Sequence, residues 1–152
     1  MILQEFGIGD WRFSVYYDVR TERDLDDVFF MLREAGVSVE KARKAVLVLA
    51  GFNKGYTHTD FGRRLTMMFM SKATSAEQMY DSIQHETRHA ADNVGEFLGL
   101  EARGEDSAYL QGEIARKMFP GAAMVICPCC GGGSGDSVYR SYRLGRSDRS
   151  WL

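Results

Sequence analysis

Near the start of the chain apolar and polar residues alternate cleanly. Trp11, Phe13, Val15, Tyr17 and Val19 fall on one side of an extended backbone, with Arg12, Ser14, Tyr16 and Asp18 on the other, so the pattern predicts a half-buried β-strand over residues 12–19. The period then changes. Thr21 opens a segment with acids in its first turn and Leu25, Val28, Phe29 and Leu32 at helical spacing, and Gly36 ends it. Ser38 begins a second helix that runs through Lys41 to Leu49 and closes at Gly51. Asn53-Lys54-Gly55 is turn chemistry, residues 56–59 have the aromatic and β-branched content of a short strand, and residues 65–70 form a short apolar run; together they predict a β-hairpin.

The second half of the pattern is helical. Thr74-Ser75-Ala76-Glu77 reads as a capping box in which the Thr74 hydroxyl and the Glu77 carboxylate satisfy free N–H groups reciprocally. It predicts a helix over residues 75–98 with Gly99 past its end, whose stripe of Tyr80, Ile83, Thr87, Ala90, Val94 and Leu98 faces the core. A last helix is expected over residues 104–118, stopped by Pro120. After Ile126 the chain reads Cys-Pro-Cys-Cys-Gly-Gly-Gly-Ser-Gly, a composition without side chains to pack, which predicts a flexible tail. The expected organisation is an α+β domain over residues 1–122, a small sheet with a hairpin packed on about four helices, and a Cys/Gly-rich basic tail over residues 123–152.

Composition narrows the class. At 152 residues, 45% hydrophobic and 26% charged, the chain can bury a core without staples, which excludes disorder along its whole length. No apolar run approaches the roughly 18–20 residues that span a bilayer. Residues 1–10 carry an acid and no base before their short apolar stretch, which is not the pattern of a signal peptide; a soluble, cytoplasmic protein is expected. Cys127, Cys129 and Cys130 are too close together to form a disulfide framework and one short of a closed zinc site, so they read as a reduced tail segment. The net charge of −2 divides into +2 from residue 123 onward and −4 before it. An acidic body is not built to grip nucleic acid; only the tail, with Arg140, Arg143, Arg146 and Arg149 among Tyr139, Tyr142 and Trp151, has the makings of an RNA or protein contact.

The candidate chemistry lies in His85-Glu86-Thr87-Arg88-His89, an H-E-x-x-H match in the middle of the long helix. Residues four apart on a helix stand on one face, so both imidazoles can reach one Zn2+ at about 2.0–2.1 Å. Turning roughly 100° per residue from Met79, the expected apolar stripe falls near 20–100°, His85 and His89 near 240° and 280°, and Glu86 near 340°. The histidines therefore sit on a polar face, and Glu86 is turned too far round to coordinate easily but can take a proton from a water as it attacks a carbonyl. Arg88 is expected to pair with Asp92 at i+4.

A catalytic zinc site needs a third protein ligand. A plain antiparallel hairpin of the last two helices puts Glu113 level with His89, and Asp92, Glu96, Glu101 and Asp106 are further acids within reach of the pattern. HETRH followed by Glu105-Asp106-Ser107-Ala108 resembles the gluzincin branch of zinc metallopeptidases, the zincin-like fold, and is similar to small bacterial proteins of phage or mobile-element type. The resemblance covers residues 52–118. It implies His85, His89 and Glu105 as metal ligands, Glu86 as general base, and an edge strand above the active helix that lines a peptide cleft. Tyr109, one turn after Glu105, and His58, on the expected edge strand, are candidates to stabilise a developing oxyanion. The expected function is zinc-dependent hydrolysis of a peptide or amide bond in a peptide or protein substrate. A zincin-like scaffold without catalysis, acting as a binding or regulatory module, and a metal-dependent hydrolase of a non-peptide substrate are the rivals.

Overall fold

The structure, a computed structural model, describes residues 1–126; the cysteines and the arginine-bearing segment lie outside the described residues. Helix starts follow their caps. The Thr21 hydroxyl accepts from the Asp24 amide at 3.1 Å while the Asp24 carboxylate accepts from the Thr21 amide at 2.9 Å, a complete capping box that opens α1 (Glu22–Glu34). Ser38 caps α2 (Val39–Leu49) through the Lys41 amide at 3.3 Å. For α3 (Ala76–Leu98) the cap is Ser75, which accepts from the Gln78 amide, and not the expected Thr74. Thr74 is held instead by Asn53, whose side-chain oxygen accepts from the Thr74 amide at 2.8 Å, so the loop before β3 takes the group that local sequence assigned to the helix.

The domain is α+β. Its sheet contains β1 (Ile2–Ile8), β2 (Trp11–Val19), β3 (Gly55–Asp60) and β4 (Leu65–Ser71) in the order β1-β2-β4-β3. β1 and β2 form an antiparallel hairpin, β2 and β4 run parallel, and β3 and β4 form the expected second hairpin. β1 has no counterpart in the sequence reading, because a polar residue, Gln4, occupies an inward position among Ile2, Phe6 and Ile8. Among the described residues β3 pairs only with β4, which makes it an edge strand.

Helices cover both faces of the sheet. α3 and α4 (Glu105–Ile126) pack with Trp11, Phe13, Val15, Tyr17, Met68 and Met70 on one face. α1 and α2 pack with Val19, Met67 and Phe69 on the other. Residues 67–70 of β4 are all apolar because the strand is buried on both sides. Val19 was expected beside Tyr17, but Asp18 takes a positive φ of 59° and the β2–β4 register shifts between Tyr16 and Val19, which turns Val19 to the α1–α2 side.

Two helix expectations also change. On α3 the buried face is Met79, Ile83, Glu86, Thr87, Ala90 and Val94, while Tyr80 and Leu98, expected in the stripe, are exposed. α4 continues through Pro120 to Ile126, across the boundary expected after residue 122. Proline removes one amide but need not end a helix whose carbonyls find other donors. Here Gln4 Nε2 donates to the Lys117 carbonyl at 2.7 Å and the Tyr17 hydroxyl, 2.9 Å from both Gln4 Oε1 and the Met118 carbonyl, joins strand and helix. Gly121 makes the approach possible, since a Cβ there would stand 2.3 Å from Gln4 Oε1. No helix of the described residues is long and apolar enough to cross a membrane.

Candidate active site

Helix α3 brings His85, Glu86 and His89 together under the edge strand. Both histidines are exposed, as their place opposite the buried face requires. Their Nε2 atoms lie 3.1 Å apart with the rings at 84° to each other. Two imidazole nitrogens bound tetrahedrally at 2.0–2.1 Å to one zinc ion stand about 3.3 Å apart. The separation is compatible with two ligands on one ion and equally with a hydrogen bond between the two rings.

Glu86 behaves differently from its neighbours. It is only 3% exposed, buried between α3 and β3. The Thr57 hydroxyl donates to Glu86 Oε2 at 2.7 Å, and Glu86 Oε1 lies 4.0 Å from His85 Nε2. Burial pushes its carboxyl above the ordinary value, opposed by the Thr57 hydrogen bond and by His85 and His89. The carboxylate has this room because residue 55 is glycine: a Cβ there would fall 2.3 Å from Glu86 Cγ and 2.6 Å from Oε1.

The contact of α3 with the sheet is polar for a further turn. Asn93 Nδ2 donates to Thr59 Oγ1 at 3.1 Å, Thr59 and Thr66 hydroxyls are 3.2 Å apart, and Trp11 Nε1 donates to Thr66 Oγ1 at 2.9 Å. Sequence reasoning missed Thr57, Thr59 and Asn93 as partners of this seam. The available signal was the run of threonines at alternate positions of β3, which on an edge strand over an H-E-x-x-H helix places hydroxyls toward the helix.

The other candidates are more dispersed. Arg88 pairs with Asp92 as expected, at 2.9 Å, and its Nη2 reaches the Ala102 carbonyl at 3.3 Å, tying the α3–α4 connection to the residue before His89. That connection borders a cavity of about 290 Å³ lined in part by Arg88, Asp92, Glu96 and Ser107. Glu105 is the exposed first residue of α4, and Tyr109, one turn later, is 72% exposed. Glu113 lies 3.9 Å from Arg116. Among the described residues no group of three His, Cys, Asp or Glu side chains is gathered closely enough to hold a metal ion, so neither acid joins the histidine pair in this arrangement.

His58 alternates with Thr57 and Thr59 and so faces the other side of the sheet. Its ring lies near the Ala35 carbonyl, Asp60 and Lys41, and its Nε2 is buried without a hydrogen-bond partner. Burial pushes the imidazole below its ordinary value, against the opposing effect of Asp60 and the Ala35 carbonyl. The expected role of His58 beside the metal pair is therefore withdrawn: a strand cannot present adjacent residues to one face. Set against protein-family models, curated proteins and solved structures, the chain matches none of them.

Proposed function

We propose that the chain is a zinc-dependent metallopeptidase-like protein of the gluzincin type, which hydrolyses a peptide or amide bond with an activated water. The observation that carries the proposal is the pair of Nε2 atoms 3.1 Å apart on an exposed helix face, beside a carboxylate that is 3% exposed. His85 and His89 would hold the ion. Zn2+ supplies Lewis acidity there, lowering the pKa of a water toward about 7.

The chain's own residues do the rest. Glu86 Oε2 is occupied by Thr57, which leaves Oε1 to accept the water's proton and later deliver it to the leaving amine. The edge of β3 that no other described strand pairs would offer backbone donors and acceptors to an extended peptide. For the third ligand Glu105 is kept on the resemblance alone, and its coordination would require the start of α4 to move toward the histidine pair. Glu113, 3.9 Å from Arg116 in an exposed i,i+3 pair, is the alternative ligand. Tyr109, one turn after Glu105, is the candidate donor for the developing oxyanion.

Zinc content and cleavage test the proposal. Protein purified without chelator or metal-affinity steps and then loaded should hold one Zn2+ per chain, and His89→Ala should lose it. Glu86→Gln should keep the zinc and lose cleavage of a denatured peptide library by about 100-fold or more. Absence of stoichiometric zinc in the wild type overturns the metal site. Loss of zinc in Glu86→Gln means that Glu86 coordinates. Zinc without cleavage leaves a metal-binding module in place of a peptidase.

A further inference from the structure

We infer that Thr57 is a positioning residue for Glu86, with Gly55 as the vacancy in the same strand that lets the carboxylate reach it; this rests on the reading of Glu86 as the base. The threonine hydroxyl has one hydrogen. Its distance to Glu86 Oε2 is 2.7 Å, against 3.4 Å to the Glu86 carbonyl, so the carboxylate is the favoured acceptor.

A glutamate side chain turns about three bonds, and a base is useful only when one oxygen stays aligned on the proton it takes. The Thr57 bond takes Oε2 and selects Oε1, 4.0 Å from His85 Nε2, as the oxygen left toward the histidine pair. Gly55 permits this orientation, because any side chain there would overlap the carboxylate.

The strand contains its own control. Thr59, two residues on, makes a similar tie to α3, but to the neutral side chain of Asn93, one helical stretch away from the histidines. If hydroxyl ties simply fasten β3 to α3, the two threonines should behave alike. If Thr57 positions a base, only Thr57 should affect the rate.

The experiment compares Thr57→Val, Thr57→Ser and Thr59→Val in the full chain, with Thr57→Ala in reserve should the valine variant fail to fold. On the denatured peptide library, Thr57→Val should lower kcat about tenfold or more with KM and zinc content unchanged, Thr57→Ser should restore it to within about twofold, and Thr59→Val should leave it there too. The second readout uses metal-free protein and needs no activity. Thr57→Val should lower the melting temperature in the wild-type background by at least twice as much as in a Glu86→Ala background, because the two side chains are coupled. An unchanged kcat in Thr57→Val, a serine variant as slow as the valine variant, or equal melting shifts in the two backgrounds overturns the inference. A wild type that binds zinc and cleaves nothing overturns the reading of Glu86 as a base and this inference with it, whereas cleavage that Thr57→Val leaves untouched overturns the inference alone.

Discussion

The two faces of one sheet are packed in contrasting ways. Toward α1 and α2 the interior is Val19, Val28, Leu32, Val37, Ala42, Ala45, Leu49, Met67 and Phe69, with His58 as the polar exception at the edge. Toward α3 there is an apolar cluster as well, but where the helix passes under β3 the contact is made by Thr57 with Glu86 and by Asn93, Thr59, Thr66 and Trp11 in series. A buried polar group without a partner costs roughly 1–3 kcal/mol, so such a seam survives only because its members satisfy one another. Burying a carboxylate adds nothing to stability that an apolar side chain would not supply more cheaply. Both faces carry an apolar core; among the described residues only the second adds a polar seam, in which a glutamate is buried against a threonine hydroxyl.

The largest expected effect tests the first half of that contrast. Phe69→Ala should destabilise the domain by about 3–5 kcal/mol, measured by chemical denaturation, while the folded fraction keeps its zinc affinity. A small stability change with loss of zinc would break the comparison. An intermediate effect is expected at the junction of β1, β2 and α4. Gly121→Ala introduces a Cβ 2.3 Å from Gln4 Oε1 and 2.6 Å from Tyr17 Cε2, and should cost about 1–3 kcal/mol. A neutral result would show that the polar contacts around Pro120 yield easily and do not hold the helix.

The smallest effects should have opposite signs on the two faces. At the start of α1, burial pushes the Asp24 carboxyl up, but hydrogen bonds from Thr21 and Arg20 and the nearby Met1 ammonium outweigh it and hold the carboxyl below its ordinary value. A depressed carboxyl stabilises above its unfolded value, about pH 4, and that contribution disappears as pH falls through the folded value. Asp24→Asn should therefore melt a few degrees lower than wild type at neutral pH, with the difference closing in strong acid. Glu86 in metal-free protein has the reverse sign: its carboxyl is raised, so its favourable contribution is present below about pH 4 and is lost as pH rises through the folded value. Metal-free Glu86→Gln should melt a few degrees higher than wild type at neutral pH, with the gain vanishing below about pH 4. Melting curves of both variants across pH check the pair, and shifts of the same sign would end the comparison.

Features set by neighbouring residues were legible in the sequence. The alternation in β2, the caps at Thr21 and Ser38 and the stop at Gly99, whose φ is 71°, each depend on groups a few residues apart. The same locality made the histidine pair legible, since a spacing of four residues on a helix is enough to bring the two Nε2 atoms within 3.1 Å. Long-range compensation was not legible. The strand over residues 2–8 has no counterpart in the sequence reading, and the partners that satisfy its inward Gln4, Tyr17 and the Lys117 carbonyl, lie 13 and 113 residues away. Pro120 looked like a stop because the donors that serve its helix come from β1 and β2.

By itself, then, the sequence determined the α+β class, most element starts and ends, and the exposed histidine pair, because backbone period and capping are short-range. Only the tertiary structure decided that Val19 turns to the opposite face, that Tyr80 and Leu98 stay outside while Glu86 goes in, and that His58 faces away from the histidines. The physical reason is the same in each case. Which side of a strand or helix is buried depends on what another element places against it, and Glu86 can be buried only because β3 supplies a hydroxyl from Thr57 and an empty space at Gly55.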